Sequence, residues 1–531
     1  MGTVRKVARN SLFNLVTVAV TAPFSFLTSI VLARGLGPEA YGTYSFYMWV
    51  LSLCALLVNL GLGSTAIKYI SEYFGQGKRE QAKGVIWMTF KGQGLAGLAL
   101  TGIILLLAVP LSSLLGKGHS PLFFVLVGLA VLPYAFYYLF FPSVGAGLQK
   151  FEYGAIQALV TVPLRLVLGI LLLLLGFGAM AQLGLNLFVW VLGFGLACYL
   201  LNRFIPLKSL LRAPLSPDGT ARARSYTVTM TGILWAEYLM WRRPEVSLLG
   251  FFRPDQEVGF YTLAVKLPEF LMTLAPWVLG GVLLPTLSEQ FGRKDMAKVR
   301  AVYVTSARYL MILALPLVAA GIALATPLVN TFYGEAYSPV IKIMAISFLP
   351  AAFFVFVTAC QHVLFAIEKS AYVLRVALLL VPLNMGLNLL VIPRYGALGA
   401  AVVTSSLQLL TFPINIWLVR RRTGVMWPLA DGVRTALAAS LMGAALFLVY
   451  GLWGSIPALV LAVPIGVPVY FLGLAVTRGL RAEDLTTLAK VREILPRALA
   501  GPYKLALRVL QGIVREEGFL PSWMTGTTKK P

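Results

Sequence analysis

The sequence predicts an all-α polytopic membrane protein with about 14 transmembrane helices. Apolar runs of about twenty residues recur along the chain, the length that a helix needs to cross a hydrocarbon core of roughly 30 Å. Only 12% of the residues are charged and 59% are hydrophobic, which leaves too little polar surface for a soluble protein of this size. A residue pattern that returns after about 217 positions further predicts two six-helix repeats, arranged as pseudo-two-fold lobes, plus two extra C-terminal spans.

Basic residues outnumber acidic ones by 44 to 20, which gives a formal net charge of +24. In a membrane protein such a surplus is typical of cytoplasmic loops, so it does not indicate a nucleic-acid partner. Cys54, Cys198 and Cys360 all fall within apolar runs and lack the spacing of metal ligands. The composition therefore predicts packing roles for the three cysteines, with no metal site and no disulfide framework.

The apolar runs define the spans, and the lysines and arginines define their orientation. Loops rich in basic residues alternate with loops that carry little beyond Arg34, Lys117, Arg253 and Arg394. The positive-inside rule places the rich loops and both termini in the cytoplasm, as expected for a multi-pass protein of the plasma (inner) membrane. The predicted spans cover residues 11–33, 42–72, 83–108, 121–148, 153–176, 182–206, 225–250, 257–290, 299–326, 338–367, 371–394, 397–420, 432–454 and 456–478.

The internal repeat is visible at four places with a nearly constant offset. The matches are Tyr41-Gly42-Thr43-Tyr44 with Val258-Gly259-Phe260-Tyr261, Phe74-Gly75 with Phe291-Gly292, Lys150, Tyr153 and Pro163 with Lys369, Tyr372 and Pro382, and Gly178-Ala179 with Gly396-Ala397. Since each copy holds an even number of spans, the two copies are expected to run in the same sense across the membrane.

The repeat also predicts the domain organisation. We expect an N-terminal six-helix lobe at 1–208, a cytoplasmic linker at 209–224, a C-terminal six-helix lobe at 225–424, two extra transmembrane helices at 425–480 and a basic amphipathic cytoplasmic tail at 481–531. The tail is predicted either to lie on the inner membrane surface or to pack against cytoplasmic loops.

Ionisable residues inside spans are the candidates for function, because each is costly in the bilayer and tends to face a wet cavity or a partner. The seventh predicted span holds the densest group, which consists of Glu237, Arg242, Arg243 and Glu245. Pro244 interrupts this group and frees backbone carbonyls that can line a cavity. At the repeat offset, the positions of Arg243 and Glu245 correspond to uncharged residues of the first span. The cluster is therefore predicted to line a cavity; the alternative is an interfacial cluster that pairs internally.

Three further ionisable residues are candidates. Lys266 and Glu269 on the eighth span lie three residues apart on one helix face, and form either a structural ion pair or part of the cavity wall. Arg165 is isolated within the apolar run LVTVPLRLVLGILLLLLG, so it is expected to face the bundle interior and to hold an anion. Arginines in a low-dielectric cleft, together with a first span that contains no acid, favour a phosphate or diphosphate group over a cation.

Two stretches resemble a known family. The first reads LARGLGPEAYGTYSF and then LGLGSTAIKYISEYFGQGKREQAK, and is similar to the N-terminal signature of polysaccharide flippases of the O-antigen and teichoic-acid type. The second, WRRPEVSLLGFFRPDQEVGFYTLAVKL, resembles that family's arginine-x-acid, LLG and G-[FY]-Y pattern, which falls on Arg243 and Glu245 here. These flippases belong to the multidrug, oligosaccharidyl-lipid and polysaccharide exporter superfamily.

The resemblance implies a non-enzymatic flippase that moves a polyprenyl-diphosphate-linked oligosaccharide from the cytoplasmic to the outer leaflet by alternating access. It implies membrane lipids, polysaccharide polymerases and glycosyltransferases as partners. No cofactor is expected, and coupling to H⁺, Na⁺ or the membrane potential stays open. Alternatives are a lipid II flippase or a drug/cation antiporter of the same superfamily. A membrane glycosyltransferase or polymerase is disfavoured because the predicted outer loops are all short.

Overall fold

The computed structural model describes residues 2–114, 120–210, 213, 215–241, 245–481 and 484. Every regular element in these ranges is helical, which confirms the predicted all-α class. The α-helices are α1 Gly2–Asn59, α2 Leu62–Gly75, α3 Arg79–Leu106, α4 Ala108–Leu114, α5 Pro121–Ala135, α6 Phe141–Gly147, α7 Phe151–Leu174, α8 Ala179–Phe204, α9 Leu207–Leu210, α10 Pro217–Trp241, α11 Glu245–Phe252, α12 Asp255–Gly292, α13 Met296–Ala323, α14 Ala325–Phe332, α15 Pro339–Ala366, α16 Ser370–Thr423, α17 Leu429–Trp453 and α18 Ser455–Val476. A π-helix (Phe136–Phe140) joins α5 to α6, and a 3₁₀ turn (Glu335–Tyr337) precedes α15.

Two of these helices are far longer than a membrane is thick. At 1.5 Å per residue, the 58 residues of α1 and the 54 of α16 would each extend roughly 80 Å or more. Each is broken at a glycine with positive φ, Gly37 (φ 76°) and Gly396 (φ 57°). Glycine takes this conformation without a Cβ clash, so each run is two helices that meet at the glycine. The two glycines fall between pairs of predicted spans.

Each predicted span lies largely in helix in the described part of the chain, although the second is interrupted at Leu60 and Gly61, between α1 and α2. By length and hydropathy, ten of the described helices are able to cross a membrane, with α1 and α16 counted once each. The predicted number of fourteen spans stays a prediction. Most helix ends differ from the predicted ones by a few residues, and α10 begins at Pro217, inside the predicted linker. Most of the predicted amphipathic tail, like the inner part of that linker, lies outside the described residues.

The chain folds into two compact units. Unit 1 comprises Met1–Thr262 and Ile392–Gly396, and unit 2 comprises Leu263–Val391 and Ala397–Pro531. The domain boundaries predicted from the sequence stay a prediction.

The core of unit 1 combines aromatic packing with a buried polar link. Phe136 and Phe140 of the π-helix pack with Ile86 of α3 in one apolar cluster. Nearby, the side-chain oxygen of Asn59 accepts hydrogen bonds from the Gln93 amide and from the backbone of α2, each at 3.0 Å. In a membrane, such hydrogen bonds between helices stabilise packing by only about 0.6 kcal/mol each on average, because the polar groups also find partners when the helices are apart.

Unit 1 also contains a close crossing between the two copies of the repeated segment. A Cβ on Gly42 of α1 would overlap the backbone carbonyl of Asp255. A Cβ on Gly259 of α12 would lie 3.1 Å from the carbonyl oxygen of Pro38 and 3.0 Å from the Cα of Gly42. The contact is reciprocal, because the glycines and the residues they touch are each separated by the repeat offset of 217. Thr43 reinforces it by donating a hydrogen bond to the Asp255 carboxylate at 2.8 Å.

Unit 2 packs α17 and α18 against α13 and α14 around an apolar cluster. The segment after α18 is fixed to this core by a buried ion pair between Arg308 of α13 and Asp484. Arg308 Nη1 donates to Asp484 Oδ1 at 3.0 Å, and the Tyr309 hydroxyl donates to the same oxygen at 3.1 Å. A second ion pair, between Arg481 and Asp431 at 2.8 Å, ties the segment to α17. The start of the C-terminal tail is therefore part of the folded core.

Substitution of Asp484 by alanine is expected to lower the stability of unit 2 by about 3–5 kcal/mol, because it leaves the buried Arg308 without its counter-ion. The loss should appear as a lower Tm of the detergent-solubilised protein. Alanine at Asp218, an acid in the first turn of α10, is the matched control and should change Tm little. An equal Tm for both variants would contradict the role assigned to Asp484.

Candidate functional site

Unit 1 contains a cavity of about 360 Å³ between α1, α7, α8 and the π-helix region. Its wall has an apolar part and a polar part. The polar and basic lining side chains are Asn14, Thr17, Thr21, Ser25, Tyr137, Tyr138, Lys150, Tyr153, Gln157, Thr161, Arg165 and Trp190. The described lining residues include two cations and no carboxylate, so the wall favours a ligand rich in hydrogen-bond acceptors and negative charge.

The polar stripe on α1 was not predicted from the sequence. Asn14, Thr17, Thr21 and Ser25 are separated by three, four and four residues, which places them on one helix face. The neighbouring positions are largely apolar, so this face differs from the remainder of the helix. The helical spacing of these small polar residues was the available signal, although none of them is ionisable.

The π-helix places two consecutive tyrosines at the cavity. Tyr137 and Tyr138 both line it, and π-helical turns of this kind are frequent at functional sites. The Tyr137 hydroxyl lies 2.6 Å from the hydroxyl of Thr161, which donates to the Gln157 carbonyl at 2.7 Å. Tyr137 is therefore held in place by α7, while Tyr138 keeps 41% of its surface exposed.

Arg165 lies on the same wall, two residues after Pro163 of α7. Its side chain is half-buried, and its Nε is enclosed without a hydrogen-bond acceptor from the described protein. The phenols of Tyr138, Tyr44 and Tyr137 lie within electrostatic reach of the guanidinium. These neighbours are neutral hydroxyls, so the positive charge of Arg165 is solvated by them without being cancelled. The predicted interior position of Arg165 agrees with this arrangement; its predicted anion-binding role stays a prediction.

Three of the other predicted site residues, Glu245, Lys266 and Glu269, are described by the structure and do not line the cavity. Glu245 is buried at the start of α11, with 2% of its surface exposed, and accepts a hydrogen bond from the Tyr261 hydroxyl at 2.5 Å. It is not among the residues that line the cavity. Lys266 and Glu269 are half-buried on α12 and belong to unit 2. Arg242 and Arg243 lie outside the described residues, as does the side chain of Glu237. Their roles stay predictions.

Two long kinked helices, ten described helices long and apolar enough to cross a membrane, and a polar cavity among such helices define the class of the protein as a membrane transporter. The fold matches a solved structure of the lipid II flippase MurJ in an inward closed conformation, with a TM-score of 0.69 at 16% identity, over 88% of this chain and 98% of that one. It also matches a multidrug resistance MATE family transporter of the MOP superfamily in an inward-facing conformation. There the TM-score is 0.61 at 16% identity, over 77% of this chain and 98% of that one.

The chain belongs to the polysaccharide biosynthesis protein family, whose model matches residues 7–291. The model of the lipid II flippase MurJ matches residues 258–494. The succinoglycan biosynthesis transport protein ExoT of Rhizobium meliloti (strain 1021) is 24% identical over 349 residues, which are 65% of this chain and 66% of that protein. The probable flippase AglR of Haloferax volcanii is 26% identical over 165 residues, 30% of this chain and 34% of that protein.

The chain thus spans just under two thirds of the first of these relatives and about a third of the second. The family predicted from the opening stretch is confirmed by these matches.

Proposed function

We propose that this protein is a flippase that moves a polyprenyl-diphosphate-linked oligosaccharide from the cytoplasmic to the outer leaflet by alternating access, for surface polysaccharide biosynthesis. The observation that carries the proposal is Arg165, a mid-span arginine that faces a polar cavity with no acid among its described lining residues. Membership of the polysaccharide biosynthesis protein family supports the substrate class. The names of the two relatives, a transport protein for succinoglycan biosynthesis and a probable flippase, support the proposed transport activity.

The cavity offers each part of such a head group a chemically suitable surface. The guanidinium of Arg165 presents a planar fork that matches phosphate oxygens, while the ammonium of Lys150 on the same wall is paired with Glu152 at 3.3 Å. The hydroxyl and amide groups of the α1 stripe and of Gln157 are suited to sugar hydroxyls. The polyprenyl chain stays in the bilayer, since only the polar part of the substrate needs protection from the hydrocarbon core.

Net transport of the substrate against its gradient requires an energy source, and we include coupling to H⁺, Na⁺ or the membrane potential in the proposal. The substrate head group is anionic, so the membrane potential acts on its outward movement. Whether the potential favours or opposes that movement depends on the net charge of the head group together with any ion that is transported with it. Transport in proteoliposomes with an imposed potential, a pH gradient or a sodium gradient, each applied separately, would identify the coupling. Polymerase and glycosyltransferase partners, and cytoplasmic positions for both termini, complete the proposal.

A lipid II flippase is the second candidate, because the corresponding family model covers residues 258–494. The two candidates differ in the sugar carried on a similar lipid diphosphate. Expression in a strain depleted of its lipid II flippase is expected not to restore growth, whereas expression in a strain lacking its polysaccharide flippase is expected to restore the surface glycan. Rescue of growth alone would favour the second candidate. A drug/cation antiporter is disfavoured by the absence of acids from the described cavity wall.

A further inference from the structure

Two arginines lie over one tyrosine ring at the end of unit 2 that the sequence predicts to face the cytoplasm. The guanidinium carbon of Arg422 is 4.6 Å from the centroid of the Tyr372 ring, and that of Arg375 is 5.3 Å from it. Tyr372 and Arg375 belong to the first half of α16, and Arg422 to the end of its second half. A stacked guanidinium has restricted motion, and its N–H edge remains directed outward for a hydrogen-bond acceptor.

The two arginines carry positive charge in a part of the sequence that is poor in acids. Among the described residues, neither Arg375 nor Arg422 forms an ion pair with a carboxylate, and both are exposed. Glu368, itself exposed, is the only acidic residue in the sequence between positions 336 and 430. Arg300 of α13 adds a third guanidinium close by, 3.8 Å from where a Cβ on Gly424 would lie. The cluster therefore concentrates positive charge, and within the described ranges Arg375 and Arg422 have no paired carboxylate.

An aromatic residue indicates that this cluster lies at headgroup depth. Trp417, one and a half turns before Arg422 on α16, has 54% of its surface exposed and carries the guanidinium of Arg421 at 5.3 Å from a ring centroid. Exposed tryptophans with adjacent basic residues are typical of the membrane–water interface. The phosphates of lipid headgroups lie at this depth.

The first copy of the repeat has the equivalent tyrosine and arginine, with an acid beside the tyrosine. Tyr153 is the repeat equivalent of Tyr372, and Arg203 lies within electrostatic reach of it. There, Glu152 precedes the tyrosine and forms an ion pair with Lys150 at 3.3 Å. In the second copy, Ala371 replaces this acid, and Arg375 stands where the first copy has an isoleucine. The fold therefore needs neither the loss of the acid nor the added arginine, which points to a ligand with negative charge.

We propose that Arg375 and Arg422, stacked on Tyr372, form an interfacial binding site for the phosphate of a lipid headgroup. Two guanidiniums held on one ring can donate several hydrogen bonds to one phosphate, and the acyl chains of the lipid lie along the exposed apolar surface of α16. Leu374, Leu378 and Leu379 supply that surface, each with more than half of its area exposed. An anionic phospholipid and the polyprenyl carrier share the required phosphate.

The test uses the full-length protein in detergent and counts bound lipid by native mass spectrometry. The probes are phosphatidylglycerol, undecaprenyl phosphate, inorganic phosphate and, as the neutral control, phosphatidylcholine. The double substitution Arg375→Gln and Arg422→Gln is expected to weaken phosphatidylglycerol or undecaprenyl phosphate binding about tenfold or more. The matched control is Arg203→Gln with Arg394→Gln. Arg203 is the first-copy equivalent of Arg422, and Arg394 lies in α16 just before its break at Gly396. This control should bind lipid as the unaltered protein does.

Each outcome bears on the proposal. Weakened binding of both phosphate lipids supports a general headgroup site, and weakened binding of undecaprenyl phosphate alone assigns the site to the carrier lipid. Equal lipid binding by the glutamine double variant and the unaltered protein overturns the proposal, as does a site occupied by inorganic phosphate with no lipid bound. The variant Arg375→Lys with Arg422→Lys keeps the charge but removes the stacked fork. It should bind these lipids with intermediate affinity. If the glutamine variant does not fold, the lysine variant is the one that tests the proposal.

Discussion

Alanine at Arg165 is expected to abolish delivery of the lipid-linked glycan to the outer surface, while the protein accumulates normally in the membrane. Arg165 is the only arginine among the described residues that line the cavity. A hydrogen bond to a charged group contributes about 1.5–3 kcal/mol, so removing the guanidinium should weaken substrate binding by roughly 10- to 100-fold. The fold itself should tolerate the change, because the guanidinium has neutral neighbours and no counter-ion is left unpaired.

Complementation of a flippase-deletion strain provides the measurement, with surface glycan quantified against the amount of protein in the membrane. Arg165→Lys keeps the charge but loses the fork and the enclosed Nε donor, so it should retain part of the activity. Lys91→Ala is the matched control, because Lys91 lies on α3 of the same unit, stacked at 5.3 Å on Trp87 and away from the cavity wall. Normal surface glycan with Arg165→Ala would sink the proposed role.

Arg165 was recognisable from the sequence because a lone arginine in an apolar run has few acceptable environments. Its surroundings were not recognisable. Tyr137 and Tyr138 reach the cavity together through a π-helix, a local change of register that apolar periodicity does not reveal. Tyr44 comes within electrostatic reach of Arg165 through tertiary packing, where Asn186 of α8 donates to its hydroxyl at 3.0 Å. Contacts between distant helices set these positions, and no local pattern records them.

The two copies of the repeat place a tyrosine at equivalent positions but surround it with different polar residues. Tyr44 and Tyr261 are equivalent at the offset of 217, and both are buried. Comparison of the two copies identified Glu245 as an acid that the fold does not require. It could not identify the partner, which is Tyr261 itself, whereas Tyr44 lies near Arg165. One tyrosine position thus serves two different polar neighbours, because the residue types facing it diverged while the backbone position was kept.

The close contact between Gly42 and Gly259 makes the stability of unit 1 sensitive to substitution of these glycines. Alanine at Gly42 is expected to destabilise unit 1 by about 1–3 kcal/mol, because its Cβ would overlap the Asp255 carbonyl and must displace backbone. Alanine at Gly259 should cost less, since its Cβ would lie 3.0 Å from the nearest atom and a small shift accommodates it. The two effects should also fail to add, because both residues belong to one contact.

Gly102 of α3 gives the control that fixes the sign of this effect. A Cβ there would meet nothing within 4 Å, so alanine should raise stability by up to about 1 kcal/mol through its higher helix propensity. The same chemical change is therefore expected to lower the Tm of the purified protein at Gly42 and to raise or preserve it at Gly102. If alanine at Gly42 left Tm unchanged, the helices would have to be further apart than the structure places them. A loss of stability at Gly42 that Gly102 does not share would instead locate a close backbone contact at the point where the two copies of the repeat meet.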